Sequence, residues 1–465
     1  MFLSKLVLSP QQHRRTLVTL LSLQNQLSCA SCRSWCPKPS QNMRFMTTKD
    51  NSASANSMSS SSTMKTESYH DHSIHQYSAH RQCQHLLEAV LQRMSQRLQF
   101  QDADDDQRRH IVDLGSADGS NSMLTLKWAV WTLQQHIPQG TLPPLQVTFE
   151  EHPVSNEQFL RATLASHDDW FHRNNIRYSV LMKSFYEPLF DPDSVDLFMS
   201  YICLHWLDTT DPPLEGTSDT PGWKLLQQGP EQQNPSPDFT FMNEATTPSH
   251  LQDHYRELAQ RHLAKFLAFR ARELKPGGEM VLLMVSQPND FVTPRTPKDD
   301  DNQQYSVLTL AMHRCIQRGL IRPQVLERTL LPYYLRTKQD VRDALALAAS
   351  IQITSDDAAA RDRPGALLAL VGDVETYNVR LGTDGGEQSN EIQGASDMFW
   401  SIHAKAVQSA GATETELEAV RRETESVFHE LFSSGDGVNV TYLACVIRRR
   451  TREAWSSGKS EKANQ

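Results

Sequence analysis

The first chemically distinctive stretch of this 465-residue chain is Ile-Val-Asp-Leu-Gly-Ser-Ala-Asp-Gly-Ser-Asn at residues 111–121. It predicts a buried strand ending at the carboxylate of Asp113, then a turn containing Gly115 and Gly119, then the start of a helix. Glycine suits such a turn because it adopts positive φ angles and lets a ligand approach the backbone. The first N–H groups of the helix and the Asp113 carboxylate would face the crevice at the strand's carboxyl end, where open α/β sheets bind ligands.

The carboxylate at this strand end indicates what kind of ligand the crevice would hold. It suits an ammonium or hydroxyl group better than a bare phosphate, because a charge-assisted hydrogen bond is about twice as strong as a neutral one. The pattern therefore favours S-adenosylmethionine over a nicotinamide cofactor. A nicotinamide-dependent oxidoreductase is the weaker alternative, since the glycines do not follow the G-x-G-x-x-G spacing.

The turn needs a sheet to hold it, and further apolar runs predict the remaining strands. These runs lie at 145–149, 176–182, 194–206, 280–285 and 438–447. Helical patterns separate most of them, so the units are β-α-β and the sheet should be mostly parallel, with helices on both faces. The predicted fold class is therefore α/β.

Periodic apolar residues predict the helices. The spacing predicts a helix over 77–98 and a helix after the glycine turn with Leu124, Trp128 and Trp131 on its apolar face. Later helices are predicted at 303–320, 338–350, 396–410 and 414–433. The segments expected to form a helical cap over the sheet are about 211–260, 300–350 and 395–435.

Composition and charge limit the partners and the location of the protein. The net charge of −9 argues against a general nucleic-acid binder, and no run of about 18 apolar residues predicts a membrane span. Residues 1–49 carry seven basic side chains and no Asp or Glu, which is typical of an organellar presequence. We expect delivery to the mitochondrion or plastid; the alternative is a basic tail on a cytoplasmic protein.

The expected organisation is a leader at 1–50, a disordered Ser-rich linker at 51–66, one folded domain at 67–455 and a disordered tail at 456–465.

Four more short runs follow one another in a fixed order. Tyr69, Ser73 and Gln76 have the spacing Y-x-x-x-S-x-x-Q, and the other runs are Lys183-Ser-Phe-Tyr-Glu-Pro-Leu-Phe190, Leu204-His-Trp-Leu207 and Leu331-Pro-Tyr-Tyr334. Together with residues 113–121, this ordered set resembles the plant-type carboxyl methyltransferases of the salicylate/jasmonate (SABATH) family. The resemblance runs from about residue 69 to 450. It implies a Rossmann-like class I methyltransferase fold with S-adenosylmethionine as the cofactor.

The resemblance also implies which residues bind the cofactor. The implied set is Tyr69, Ser73, Asp113, Gly115, Asn121, Glu151, Ser184 and Phe185. Within it, Ser73, Asp113 and Asn121 would bind the methionine end. Asp113 is well suited to that end, because a carboxylate pairs with the α-ammonium group.

The ribose and adenine of the cofactor would have their own residues. Glu151 aligns with the family acid that grips both ribose hydroxyls, but the family usually has Asp there, which leaves Glu150 as the alternative. Ser184 and Phe185 would flank the adenine, by a hydrogen bond and by stacking. Phe185 could instead be an ordinary core residue.

For the methyl acceptor, the resemblance implies Gln76, His205 and Trp206 as substrate-binding residues. Gln76 and Trp206 would tether a carboxylate, because amide and indole N–H groups are donors that suit an anionic oxygen. A carboxylic acid has a pKa of about 4 and is already a nucleophile at neutral pH. No catalytic base is therefore expected, and these residues would act by positioning.

Two departures from the family pattern concern the site. Ile202 stands where family members often have a tyrosine. Glu327-Arg328-Thr329-Leu330 stands where some members carry a magnesium-binding stretch. Leucine cannot ligate a hard cation, so Mg²⁺ is disfavoured and no metal is expected.

The sequence therefore predicts an S-adenosylmethionine-dependent O-methyltransferase that forms the methyl ester of a small, largely apolar carboxylic acid. Two alternatives stay open: an N-methyltransferase of a small heterocycle on the same fold, and a non-catalytic S-adenosylmethionine-binding protein. The expected partner is the small-molecule acid, with no nucleic acid. A homodimer is also expected, because members of the family are commonly homodimers.

Overall fold

The computed structural model describes residues 74–99, 108–137, 142–207, 240–241, 243–292, 305–354, 361–362, 364–381, 388–433 and 438–451. All of these residues belong to one compact unit. Several predictions fall outside the described residues and stay predictions: the leader at 1–50, the linker at 51–66, Tyr69, Ser73, the cap residues 211–239 and the tail at 456–465.

A mixed sheet forms the centre of the fold. The strands, in chain order, are β1 Arg109–Leu114, β2 Leu145–Glu151, β3 Ile176–Met182, β4 Val195–Tyr201, β5 Leu274–Val285, β6 Ile353–Thr354, β7 Arg361–Asp362, β8 Leu368–Leu370, β9 Glu375–Leu381 and β10 Val438–Arg449. The main sheet has the order β3-β2-β1-β4-β5-β10-β8, with β9 also paired to β10, while β6 and β7 pair separately. Strands β1 to β5 are parallel, whereas β10 runs antiparallel to β5, β8 and β9.

The predicted parallel strands are confirmed, and their apolar runs are explained by burial on both faces. Strand β4 is buried along its whole length, and β1 is buried from Ile111 onward. Strands between two helix layers read as continuous apolar runs rather than as alternating ones. Strand β4 ends at Tyr201, well before the predicted residue 206, because Ile202 adopts a left-handed backbone with φ of 61°.

The helices form two layers on the sheet and a separate group. They are α1 Ile74–Gln82, α2 Gln84–Gln99, α3 Ser120–His136, α4 Glu157–Ala165, α5 Asp168–Arg173, α6 Ser249–Glu273, α7 Val307–Gln317, α8 Pro323–Arg328, α9 Lys338–Ala348, α10 Gln388–Ser409 and α11 Glu414–Ser433. Helices α1 to α3 pack with Ile111 and Leu197 on one face of the sheet, and α6 and α9 pack with Val112 and Phe198 on the other. Helices α7, α8, α10 and α11 contact one another. Helix α9 thus lies beside the sheet although it falls in the 300–350 segment expected in the cap.

The buried face of α3 differs from the prediction. Leu124 and Trp131 are 46% and 56% exposed, and Trp128 is only partly buried. The buried face includes the polar side chains of Ser122 and Thr125. The predicted face was wrong because hydrophobic periodicity treats Ser and Thr as surface residues, whereas here both line a cavity.

Candidate active site

The turn after β1 is held close to the end of β4. Gly115 and Gly119 have φ angles of 74° and 83°, in the region that L side chains rarely adopt. A Cβ atom on Gly115 would lie 2.6 Å from Cβ and 2.8 Å from Sγ of Cys203. Glycine at 115 therefore allows both the turn and its direct contact with the segment after β4.

Two acids at the end of β2 hold the same turn. The Gly115 amide donates to Oε2 of Glu150 at 3.0 Å, and the Ala117 amide donates to Oε2 of Glu151 at 2.5 Å. Oε1 of Glu151 accepts a bond from the Ser155 hydroxyl at 2.8 Å, whereas Oε1 of Glu150 has no partner among the described residues. Burial raises the pKa of Glu150 well above its usual range, and the charge of Glu151 adds to the rise.

A cavity opens at the carboxyl ends of β1 and β4, and we call it the turn cavity. Three of the predicted cofactor residues, Asp113, Gly115 and Asn121, line it. The lining residues are Gln76, His80, Asp113, Gly115, Ser116, Ala117, Asp118, Asn121, Ser122, Thr125 and Tyr201. The cavity thus lies at the strand end where the sequence predicts a ligand.

Asp113 is a buried acid whose described hydrogen-bond partners are hydroxyl groups. It is 5% exposed, and Oδ2 accepts a bond from the Ser116 hydroxyl at 2.9 Å. Burial raises the pKa of Asp113 to about 6; bonds from Ser122 and Ser116 oppose the rise, and the charge of Glu151 adds to it. A positive group in the turn cavity would stabilise this carboxylate. The site therefore fits S-adenosylmethionine, which carries an ammonium and a sulfonium.

The other described cofactor residues are not among those lining the turn cavity. Phe185 packs on the opposite face of the sheet, where its ring centroid lies 4.7 Å from that of Tyr186 and 6.1 Å from that of Phe266. The Ser184 hydroxyl accepts a bond from the Tyr186 amide at 3.3 Å. Glu151 makes the turn-holding bonds given above. The roles of these three residues toward ribose and adenine stay predictions.

The runs 204–207 and 331–334, far apart in sequence, meet in the structure. Trp206 and Tyr333 form an antiparallel backbone bridge, and the Tyr334 amide donates to the His205 carbonyl at 2.9 Å. The ring centroids of His205 and Trp206 each lie 5.3 Å from that of Tyr333, with the rings edge to face. The two runs therefore build one aromatic corner.

A second cavity, which we call the aromatic cavity, lies at this corner. All three predicted acceptor residues line it: Gln76, His205 and Trp206. The other lining residues are Ile202, Val285, Asn289, Phe291, Val292, Tyr333, Leu335, Met398, Phe399, Ile402, His403, Val440 and Tyr442. Gln76 also lines the turn cavity, so the two cavities adjoin at this side chain.

Two buried histidines line the aromatic cavity without adding charge to it. His205 and His403 are 8% and 4% exposed. The pKa of each imidazole is lowered to about 3, mainly by burial, and the positive charge of Arg336 contributes to the lowering at His205. Both histidines are therefore neutral near neutral pH, and neither ring adds a charge to the cavity wall.

Sequence reasoning missed several residues of both cavities. His80 and Tyr201 line the turn cavity, where their rings stack with centroids 4.4 Å apart, and a ring nitrogen of His80 lies 3.1 Å from the Thr125 hydroxyl. The i, i+4 spacing of Gln76 and His80 on α1 could have indicated a shared face. His403 has no comparable local signal, since it lies on α10 outside every recognised run.

The described residues contain no group of three or more His, Cys, Asp or Glu side chains that could hold a metal ion. In the stretch that departs from the family's magnesium pattern, the Thr329 hydroxyl donates to the Val325 carbonyl at 2.7 Å, and Leu330 packs against buried side chains. Among the described helices, none is long and apolar enough to cross a membrane.

The mostly parallel sheet, the glycine turn and the cavity at the strand ends are the features of a Rossmann-like α/β fold of the methyltransferase class. The family model described as SAM dependent carboxyl methyltransferase matches residues 55–364, well over half of the chain. The chain therefore belongs to the SAM-dependent carboxyl methyltransferase (SABATH) family, and the family predicted from the short runs is confirmed.

Curated relatives show similarity over part of the chain. The O-methyltransferase acrG of Aspergillus aculeatus is 28% identical over 242 residues, which are 51% of this chain and 54% of that protein. Benzoate O-methyltransferase of Zea mays is 29% identical over 38% of this chain and 41% of its own length. Jasmonate O-methyltransferase of Arabidopsis thaliana is 24% identical over 52% and 63%. The chain thus spans about half the length of the curated relatives it matches.

A solved structure supports the fold. The structure of loganic acid methyltransferase with SAH covers 83% of this chain and 98% of its own chain, with a TM-score of 0.59 and 16% identity. The match extends beyond the central sheet to most of the protein. The predicted Rossmann-like methyltransferase fold is confirmed.

Proposed function

We propose that this protein transfers the methyl group of S-adenosylmethionine to the carboxylate of a small, largely apolar acid. The products would be the methyl ester and S-adenosylhomocysteine. The observation that carries the proposal is the position of Gln76, which lines both the turn cavity and the aromatic cavity. A donor in the first cavity and an acid in the second would meet at this side chain. The names of the benzoate and jasmonate O-methyltransferases among the relatives indicate acids of this kind.

On the donor side, S-adenosylmethionine would supply an electrophilic methyl group on a positively charged sulfur. Asp113 would hold the α-ammonium group, because its buried carboxylate needs a positive partner. Asn121, at the start of α3, and Ser73 would bind the same end. The family resemblance adds Glu151, or Glu150 in its place, for the ribose.

The remaining donor residues are proposed from the resemblance alone. Ser184 and Phe185 would flank the adenine, and Tyr69 would belong to the cofactor-binding set. Gly115 would let the cofactor approach the turn backbone, since it has no side chain. Binding studies of single variants at these positions would test each assignment.

On the acceptor side, the amide of Gln76 and the indole of Trp206 would donate hydrogen bonds to the carboxylate. His205 would line the same pocket as a neutral ring. The acid enters as an anion, so the chain needs no base to activate it. Transfer from a sulfonium to a carboxylate cancels two opposite charges, and a pocket that excludes water favours that change. Holding the reacting atoms about 3 Å apart would supply much of the remaining acceleration.

Location and assembly are proposed from the sequence and from the family resemblance. The basic, acid-free residues 1–49 support an organellar leader, and the family resemblance supports a homodimer. A fluorescent fusion to residues 1–50 should enter mitochondria or plastids, and light scattering of the purified protein should give twice the chain mass. Diffuse fluorescence or the mass of a single chain would contradict the respective proposal.

The function is tested by incubating the full chain with methyl-labelled S-adenosylmethionine and a panel of acids and heterocycles, followed by mass spectrometry. We expect labelled methyl esters from at least one small apolar acid. Label on a ring nitrogen instead would support the N-methyltransferase alternative. Binding of S-adenosylhomocysteine with no label transferred to any compound would support a non-catalytic binding protein.

A further inference from the structure

The aromatic cavity is lined by residues whose buried polar atoms are unsatisfied. Gln76 Oε1, His205 Nδ1 and His403 Nε2 are buried and have no hydrogen-bond partner among the described residues. All three residues line the aromatic cavity. Leaving a buried polar atom without a partner is unfavourable, and such an atom calls for an explanation, of which a bound ligand is one. The proposed carboxylate tether uses the N–H group of Gln76, so it leaves the Gln76 oxygen, His205 Nδ1 and His403 Nε2 unexplained.

The hydrogen bond of His403 fixes which of its ring nitrogens carries the proton. Nδ1 lies 2.7 Å from the carbonyl oxygen of Phe399, one turn earlier on α10. A carbonyl only accepts, so Nδ1 must carry the proton. In a neutral imidazole the other nitrogen then has a lone pair. Nε2 of His403 is therefore an acceptor, and the geometry of the ring directs it away from the Phe399 carbonyl.

The ring does not gain a second proton under ordinary conditions. His403 is 4% exposed, and burial lowers its pKa to about 3. Its ring neighbours are aromatic, with centroid distances of 4.1 Å to Phe399, 5.4 Å to Phe241 and 6.2 Å to Tyr333. None of these three side chains is a carboxylate, so they contribute no negative charge that would stabilise the protonated ring. A lone pair in this setting repels an anionic oxygen and attracts an O–H or N–H group.

His403 and Trp206 flank the same ring. Tyr333 lies 5.3 Å from Trp206 and 6.2 Å from His403, measured between ring centroids. One small molecule could therefore contact the carboxylate tether and His403 together. The wall of the same cavity also includes the apolar side chains of Val285, Val292, Met398 and Ile402.

We propose, building on the carboxyl methyl transfer proposed above, that His403 is a specificity-determining residue that selects acids carrying a hydroxyl or N–H group away from the carboxylate. Nε2 accepts the hydrogen bond from that group, while the carboxylate lies against Gln76 and Trp206. The substrate class is thus an acid with an apolar body and one hydrogen-bond donor at its other end. An acid of the same shape without the donor leaves Nε2 buried and unsatisfied.

The test compares matched acids on the full-length enzyme. Each set contains a parent ring acid such as benzoate, its analogue with a ring hydroxyl or amino group, and the corresponding methoxy analogue, which has no donor. We expect wild type to favour at least one donor-bearing acid over its parent by about tenfold or more in kcat/KM, mostly through KM. A preference for the parent or methoxy acid in every set would overturn the proposal.

Two variants assign that preference to His403. His403→Leu removes the acceptor at similar volume, and we expect the ratio between donor-bearing and parent acids to fall to about one. His403→Gln keeps an acceptor oxygen and should restore part of the preference, which a merely structural role would not predict. Melting temperatures identify any variant that fails to fold. An undiminished ratio in folded His403→Leu would overturn the proposal.

A failure of the proposed function can be separated from a failure of this inference. If no acid is methylated, calorimetry with the S-adenosylhomocysteine-loaded protein still measures the affinity of each matched acid. A donor-bearing acid that binds about tenfold tighter, with the difference lost in His403→Leu, supports the selection in a non-catalytic protein. Equal affinities within every set overturn the inference even if methyl transfer is observed. No acid binding at all would overturn both proposals.

Discussion

The ring of Trp206 meets the ring of Tyr333 edge to face, with centroids 5.3 Å apart and planes at 86°. Their backbones form an antiparallel bridge, and the Leu207 amide donates to the Pro332 carbonyl at 2.7 Å beside it. The indole proposed to hold the acceptor is therefore positioned by a segment more than a hundred residues later in the chain. Tyr333 therefore both lines the aromatic cavity and supports Trp206.

The first prediction concerns Tyr333→Leu. We expect KM for the acceptor acid to rise roughly three- to tenfold, because an aromatic pair contributes about 0.5–1.5 kcal/mol beyond its buried area. Affinity for S-adenosylhomocysteine should stay within twofold of wild type, since Tyr333 does not line the turn cavity. Tyr334→Leu is the control, because Tyr334 packs in a different cluster, with Tyr255 and Leu258. A similar rise in KM for both variants would argue against a specific role for Tyr333.

Two positions on α1 should separate donor binding from acceptor binding. Gln76 lines both cavities, whereas His80, one turn later, lines the turn cavity and not the aromatic one. Gln76→Ala should weaken acceptor binding about tenfold or more and donor binding less, because a hydrogen bond to a charged group contributes about 1.5–3 kcal/mol. His80→Ala should show the opposite pattern. Calorimetry with S-adenosylhomocysteine, and then with acid on the loaded protein, measures both. Parallel losses in the two variants would contradict the assignment.

The pH dependence of cofactor binding should follow Asp113. Its pKa is raised by burial to about 6 in the unliganded protein, and an ammonium group pairs with the ionised form only. The dissociation constant for S-adenosylhomocysteine should therefore be flat above about pH 7 and rise up to about tenfold per unit below pH 6. Titrations between pH 5 and 8 measure this profile.

Asp113→Asn is the matched control for that profile. The variant keeps the size of the side chain but loses the titrating group, so its binding should be weaker at pH 7.5 and nearly independent of pH. Asp113→Ala should lose measurable cofactor binding. If Asp113→Asn kept the wild-type dependence of cofactor affinity on pH, Asp113 would not have the proposed role. Micromolar cofactor affinity in Asp113→Ala would contradict that role in the same way.

Gly115→Ala should destabilise the fold for two separable reasons. Its φ of 74° costs an L residue about 1–2 kcal/mol, and its Cβ would overlap Cys203. Overlap in a packed region costs about 1–3 kcal/mol more. Gly319→Ala is the control, since Gly319 has φ of 67° and nothing within 4 Å of an added Cβ. Denaturant unfolding should show a loss about 1–3 kcal/mol larger at residue 115.

A double-mutant cycle isolates the overlap. Cys203→Gly removes both atoms that an added Cβ on Gly115 would meet. The pair should therefore show a favourable coupling of about 1–3 kcal/mol. Additive losses would mean that the turn shifts to accommodate the methyl group, and that the contact with Cys203 does not limit residue 115.

The central strands could be predicted because their sequences reflect burial on both faces. Strand β9 has no such signal: its burial alternates over much of its length, and Tyr377 and Asn378 read as an ordinary surface segment. It is identifiable as a strand only through its pairing with β10. The end of β4 at Tyr201 could not be predicted from the sequence either. It depends on the positive φ of Ile202, and β-branched residues very rarely adopt positive φ.

In the candidate site, too, residues close together in sequence could be predicted, whereas those brought together from distant segments could not. Asp113, Gly115 and Asn121 lie within nine residues, so one motif suffices to bring them to the turn cavity. The aromatic cavity combines α1, the segment after β4, the residues before α9, helix α10 and strand β10. Nothing near His403 in the sequence distinguishes a buried cavity histidine from one in an ordinary helix. Its neighbours become known only when the chain has folded.

The residues that line the two cavities are synthesised at different times. The turn cavity is lined by residues between Gln76 and Tyr201, whereas the aromatic cavity also needs Val440 and Tyr442 on β10. Since β10 lies between β5 and β8 in the sheet, translation must reach this strand before the wall of the aromatic cavity is complete. A nascent chain thus contains the lining residues of the turn cavity well before it contains all of those that line the aromatic cavity. The proposed ester formation would therefore begin only after β10 has joined the sheet.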